Sequence, residues 1–139
     1  VAQQFEYGKK IYDAGFIPIL EPEVNIHSED KLESEKILKK EILKLLQDLD
    51  DEQYIFKLSL PSQANFYQKI IEHPNVVRLV ALSGGYSQED AVEKLSENNN
   101  MIASFSRALL QDLRVDQSDE EFDKELKDAV RKIYNASIT

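Results

Sequence analysis

Two spacings of apolar residues alternate along the chain. Phe16-Ile17-Pro18-Ile19-Leu20, Tyr54-Ile55-Phe56-Lys57-Leu58, Val76 to Leu82 and Met101 to Phe105 are short runs rich in β-branched and aromatic residues, the composition of buried strands. Between them the period lengthens to that of a helix. From Glu29 to about Asp50, residues Leu38, Ile42, Leu45, Leu46 and Leu49 share one face, and after Ser118 so do Phe122, Leu126, Ala129, Val130, Ile133 and Tyr134.

Punctuating residues set the boundaries. An opening helix from Val1 to about Ala14 is closed by Gly15, the residue type that most easily takes the left-handed conformation at a helix end. A short helix from about Asn65 to Glu72 ends at His73-Pro74, because the residue before proline avoids the helical region. Ser118 with Glu121 spells a capping box, and Ser28 and Ser87 read as two further N-caps. The order is one helix followed by four strand-helix units in a single domain, residues 1–139. That alternation predicts an α/β fold with a parallel sheet and right-handed crossovers.

Two architectures satisfy this order, an open doubly wound sheet and part of a (β/α)8 barrel. Polar groups stand at the carboxyl end of every run: Glu21 and Glu23, Lys57 and Ser59, Ser83-Gly84-Gly85, then Ser104 and Arg107. A doubly wound fold concentrates its ligand groups at one switch point, so contributions from all four ends favour a barrel mouth. A whole barrel takes about 250 residues, and four units in 139 residues predict half of one.

Composition narrows the chemistry. With 42% apolar and 31% charged residues but no cysteine, a disulfide framework, a zinc-thiolate site, an iron-sulfur cluster and cysteine catalysis are all excluded. No apolar run approaches the roughly 20 residues of a membrane span, and no signal segment opens the chain, so a soluble cytoplasmic protein is expected. A chain beginning at Val1 is expected to be trimmed or cut from something longer. The 17 basic against 26 acidic residues give a net charge of -9, and Lys39, Lys40 and Lys44 are interleaved with Glu41 and Asp48. No nucleic-acid partner is expected from such a pattern, since phosphate backbones need clustered positive charge. A small anion is compatible with it, because one arginine and a few backbone N–H groups suffice.

Four constellations carry candidate chemistry. Glu21 and Glu23 flank Pro22 at i and i+2: two carboxylates on one side of a strand form a proton-transfer pair, or else are two solvated glutamates at a strand exit. Lys57 interrupts an apolar run. Burial favours a neutral amine, which attacks a carbonyl to form a Schiff base, the alternative being a salt-bridged or snorkelling lysine. Ser83-Gly84-Gly85 follows the strongest strand and precedes a helix, either cradling a phosphate with successive N–H groups or making a plain tight turn. Ser104 and Arg107 stand at the corresponding place after the next strand. In barrels the loops after the seventh and eighth strands commonly bind phosphate, and these two groups occupy those loops if the four units are the second half. His27 and His73 have no partners at metal-ligand spacing, and Asn98-Asn99-Asn100 is a polar turn.

Taken together, Ile19-Leu20-Glu21-Pro22-Glu23-Val24, Phe56-Lys57-Leu58-Ser59-Leu60-Pro61, His73-Pro74-Asn75-Val76-Val77-Arg78, Leu82-Ser83-Gly84-Gly85-Tyr86-Ser87 and Ala103-Ser104-Phe105-Ser106-Arg107-Ala108-Leu109 resemble the class I fructose-bisphosphate aldolases, in particular the shorter bacterial type. They occur in the family's order and cover essentially the whole chain. The resemblance implies the carboxyl-terminal half of a TIM barrel with Lys57 as the Schiff-base lysine, Glu21 as general acid-base and Glu23 as its partner. It further implies that Ser83, Gly84, Gly85, Ser104 and Arg107 bind the substrate phosphate, and that no metal or other cofactor takes part. The family's aspartate and two lysines from the first four strands have no match here, nor does the terminal tyrosine of animal members, as the chain ends Ala136-Ser137-Ile138-Thr139.

Half a barrel leaves unpaired groups on its first and last strands, those of Phe16 and Met101, and an inner face without an opposite wall. The partners expected are therefore a small sugar phosphate and either the missing first half or a second copy of this chain. The leading function is a carbon-carbon lyase of sugar phosphates. A non-catalytic phosphate-binding or assembly fragment is the alternative, and an open-sheet regulatory domain explains the least.

Overall fold

The computed structural model describes residues 1–139, all of the chain. Its elements are α1 (Ala2–Asp13), β1 (Ile19–Leu20), α2 (Lys31–Leu46), β2 (Tyr54–Ser59), α3 (Gln68–Ile71), β3 (Val76–Leu82), α4 (Gln88–Ser96), β4 (Met101–Ala103), α5 (Arg107–Leu110) and α6 (Asp119–Ser137). The four strands form one sheet in the order β1-β2-β3-β4, every pair parallel. The fold is α/β, as the alternation predicts. Strand order never reverses along the sheet, so there is no switch point of the doubly wound kind.

Sequential order has a consequence for packing. Successive right-handed crossovers that all step the same way deliver their helices to the same side of the sheet. The residues in register show it. Leu20, Phe56, Leu79 and Met101 lie in one row and are all buried, as are Leu58 and Ala81 two residues on. They share a single core cluster with Phe5, Leu38, Ile42, Leu46, Ile70, Ala91 and Leu95 from the helices. The intervening rows face the other way: Ile19 is 53% exposed, and Ile55, Lys57, Val80, Leu82 and Ile102 are half-buried. One face of the sheet is covered and the other is open.

Several boundaries follow the local signals. Gly15 takes φ +90° just past α1, its N–H donating to Tyr12 O and that of Phe16 to Ile11 O. Ser87 caps α4 by accepting the Asp90 N–H, and Ser118 with Glu121 closes the capping box of α6. Hydrogen bonds from the Ser118 N–H and hydroxyl hold the Glu121 carboxyl below the usual range.

Others differ. The first strand is two residues, not five, because Phe16 and Ile17 stand out in solvent and Pro18 lacks an N–H, offering only its carbonyl to the Ile55 N–H. The helix expected over 65–72 contracts to one turn, with Asn65 left-handed at φ 56°. α2 starts at Lys31, two residues beyond the start that a Ser28 cap implies, and Ser28 instead makes a turn with the Asp30 N–H. The last strand ends at Ala103 and its outer edge is not bare: the Ala103 N–H donates to Ser137 Oγ and the Asn100 N–H to Thr139 O. No helix is long and apolar enough to cross a membrane.

α1 meets the sheet at Gly8, where an added Cβ would stand 2.7 Å from Tyr54 Cε1 and 3.1 Å from Leu20 Cδ2. Ala in place of a mid-helix Gly gains about 1 kcal/mol of propensity, while overpacking of a filled core costs about 1–3 kcal/mol. Gly8→Ala is therefore expected to lower the urea midpoint. A raised midpoint would show that α1 is free to back away from the sheet.

Candidate functional site

All four strands are parallel, so their carboxyl ends, and the polar residues that follow them, lie along one edge of the sheet. Lys57 sits in the middle of β2, level with Val80 of β3, on the open face. Its ammonium donates to Glu21 Oε2 at 2.9 Å across the β1–β2 boundary. The expectation of a lysine enclosed by apolar neighbours is corrected here: its side chain is 27% exposed, because the helices pack on the other face of the sheet. An exposed rim makes such an ion pair worth little to stability, so its geometry matters more than its energy.

Glu21 turns to Lys57, whereas Glu23 is exposed and has no ion pair. Pro22, between them, ends the ladder, and the segment is caught again one residue beyond Glu23. There Ser59 Oγ accepts the Val24 N–H at 3.0 Å and donates to the Val24 carbonyl at 2.7 Å.

Ser83 is 4% exposed, and no hydrogen bond within the chain engages its hydroxyl. The turn after it is tight: Gly84 has φ +61° and Gly85 φ +111°, and the Tyr86 N–H returns to the Ser83 carbonyl at 3.0 Å. A Cβ on Gly84 would fall 2.9 Å from Ile26 Cγ2, and one on Gly85 3.8 Å from His27 Nε2. The loop after β1 thus packs against the loop after β3, and glycine is required at 84 by conformation and by space and at 85 by conformation. Ser104 extends the β4 ladder through its N–H to Ala81 O at 2.8 Å. Its side chain and that of Arg107, the first residue of α5, are exposed at the same edge. Neither side chain is hydrogen-bonded to the Ser83 turn, so Lys57 and Glu21 are in contact while the phosphate candidates share only a rim.

A buried ionic network supports this rim. Lys31 is 7% exposed and Glu35 fully buried, one turn apart on α2 and ion-paired. Glu35 accepts the Ser62 N–H at 3.1 Å through either oxygen, while Lys31 donates to Leu60 O at 2.9 Å and Ser62 Oγ at 3.0 Å. The loop leaving β2 is moored by two charges whose hydrogen-bonding capacity is spent inside the protein. Next to them the Tyr67 phenol is pushed well above its ordinary range, first by burial and then by the Glu35 charge. A signal for this was in the sequence: the buried stripe Leu38, Ile42, Leu46 continues backwards in phase to Glu35 and Lys31. Ser59 carried no such signal beyond its place two residues after Lys57.

No three His, Cys, Asp or Glu side chains converge as a metal-binding group. No protein-family model matches the chain.

Removing one member of a buried ion pair leaves the other charge uncompensated, at a cost of about 3–5 kcal/mol. Lys31→Met is expected to destabilise the fold by that order in urea denaturation, and Lys31→Met with Glu35→Leu to recover much of the loss. A single variant as stable as the parent would show that Glu35 is hydrated.

Proposed function

We propose that the chain is a class I, Schiff-base aldolase unit acting on sugar phosphates, with fructose 1,6-bisphosphate as the substrate implied by its sequence resemblance. The observation that carries this reading is the Lys57 Nζ to Glu21 Oε2 contact of 2.9 Å at the functional edge of a parallel sheet. It is an amine with a proton acceptor in hydrogen-bonding reach, on a face open to a ligand. The bland reading, a surface salt bridge, accounts for the pair but not for its place between Pro22 and an otherwise apolar β2.

The chemistry follows from those two groups. Glu21 takes a proton from Lys57, and the amine lone pair attacks the C2 ketone of the substrate. The carbinolamine oxygen then leaves as water, with Glu21 returning the proton. The iminium so formed accepts the electrons of the C3–C4 bond as it breaks, storing them as an enamine, while the C4 hydroxyl proton passes to Glu21. Glu23, exposed beside it, supports the charge state of the pair. The phosphate next to the ketone is received by Ser83, Gly84 and Gly85, with Ser104 and Arg107 at the same rim. The hydroxyl of Ser83 has its bonding capacity free, and Arg107 supplies the charge.

In this reading the sheet is the second half of a (β/α)8 barrel and its open face is the inner wall. The complement is four further parallel strands, from the first half or a second copy. A new strand against β4 would displace the Ser137 and Thr139 contacts with that edge. A cytoplasmic setting accords with a glycolytic reaction.

The test is reduction by borohydride in the presence of dihydroxyacetone phosphate, followed by intact mass and peptide mapping. One adduct, on Lys57 and absent from Lys57→Ala, is expected. A folded chain with no adduct, even when the complementary half is supplied, would overturn the reading in favour of a phosphate-binding module.

A further inference from the structure

We propose that Ser59 is a positioning residue, whose hydroxyl holds the Glu21-Pro22-Glu23 arm so that Glu21 meets Lys57. The β1–β2 ladder ends at the register pair Leu20 and Phe56. Two residues later Pro22 has no N–H to donate, and the backbone beyond it has no strand to follow.

The hydroxyl of Ser59 takes over from the ladder. It is 1% exposed, and it engages both backbone groups of one residue, accepting the Val24 N–H at 3.0 Å and donating to the Val24 carbonyl at 2.7 Å. Hydroxyl donor and acceptor capacity are thus used together on a single partner. Val24 is itself 8% exposed and belongs to the core cluster, so this is a fixed point. The arm is thereby tied at Leu20 and at Val24, with three residues between, one of them a proline of fixed φ. Both candidate carboxylates ride on it. Residues 57 and 59 of one strand lie on the same face, so the strand that presents the amine also carries the clamp that sets the acid against it.

Alanine at 59 leaves the Val24 N–H and carbonyl buried without partners and the arm tied at one end. Its effect is therefore read at Glu21 and not at Ser59 itself. The positioning claim stands on geometry alone, and its catalytic consequence rests on the aldolase reading. The experiment separates the two.

On the full chain, the rate of reductive methylation at Lys57 by formaldehyde and cyanoborohydride, mapped by peptide mass, reads the ion pair without any substrate. Glu21→Gln is expected to raise that rate severalfold. Ser59→Ala should raise it to the same level, the double variant no further, and Ser59→Thr, which keeps the hydroxyl, should match the parent. In borohydride trapping with dihydroxyacetone phosphate, Ser59→Ala should then show the slowed rate and altered pH profile of Glu21→Gln, again with rescue by Thr. Should Ser59→Ala fold poorly by circular dichroism, Ser59→Cys has similar size and only weak hydrogen-bonding power, and should behave as Glu21→Gln.

A parent-like methylation rate in folded Ser59→Ala or Ser59→Cys overturns the proposal, as does an additive double variant. Absence of any adduct in the parent, even when the complementary half is supplied, overturns the aldolase reading and leaves the methylation result to decide the role of Ser59.

Discussion

The parallel ladder of β2 on β3, which shifts register between Tyr54 and Ile55 and then keeps one register from Ile55 to Ser59, is the fixture from which the rest of the molecule takes its position. Its alternation sends Tyr54, Phe56 and Leu58 into the helix-covered core and Ile55 and Lys57 to the open face. Each fully buried large apolar side chain contributes about 1.5–3 kcal/mol, so a slip of one residue would exchange that burial for burial of Lys57. The cost of an unpaired ammonium in the core is several kcal/mol more. Register is thus over-determined, and with it the height at which Lys57 stands beside β1.

Around this ladder, the parts that carry candidate chemistry are held by polar groups rather than by more sheet. β1 contributes two residues of pairing, so Ser59 takes up the chain again at Val24. The loop after β2 hangs from Lys31 and Glu35, and the turn at Gly84 and Gly85 rests on Ile26 and His27 of the loop after β1. Buried hydrogen-bonded groups of this kind are directional where apolar contacts are not. They fix loop geometry at an edge where the core offers little area.

Much of the element order is legible in the sequence because local and global signals agree there. Gly15, Ser87 and the Ser118–Glu121 box sit where the chain must stop or start, and each does so for a local reason. The signal fails where tertiary context competes. Phe16 and Ile17 have strand composition but no neighbour to pair with, and the short helix after Asn65 is cut back to a single turn. The burial of Lys31 and Glu35 follows only when the phase of Leu38, Ile42 and Leu46 is extended to them. Lys57 was conspicuous within its run, yet the run could not say that one face of the strand is open. Glu21 was conspicuous too, but its contact with that lysine was not. Ser59 was visible only as a polar strand end, since a clamp on Val24 depends on a loop path that no periodicity records.

One amine and one carboxylate are brought together by two adjacent parallel strands. The Schiff-base chemistry proposed for them can be observed without cleavage of any substrate, because an enamine of dihydroxyacetone phosphate exchanges its carbon-bound proton at C3 with solvent. The most direct measurement is that exchange in deuterium oxide, followed by proton NMR for the chain and for Lys57→Ala. Deuterium incorporation by the chain at C3 alone is expected, with none above background for Lys57→Ala. Equal exchange in the two, or no exchange by a chain shown to be folded and supplied with its complementary half, would contradict the Schiff-base reading.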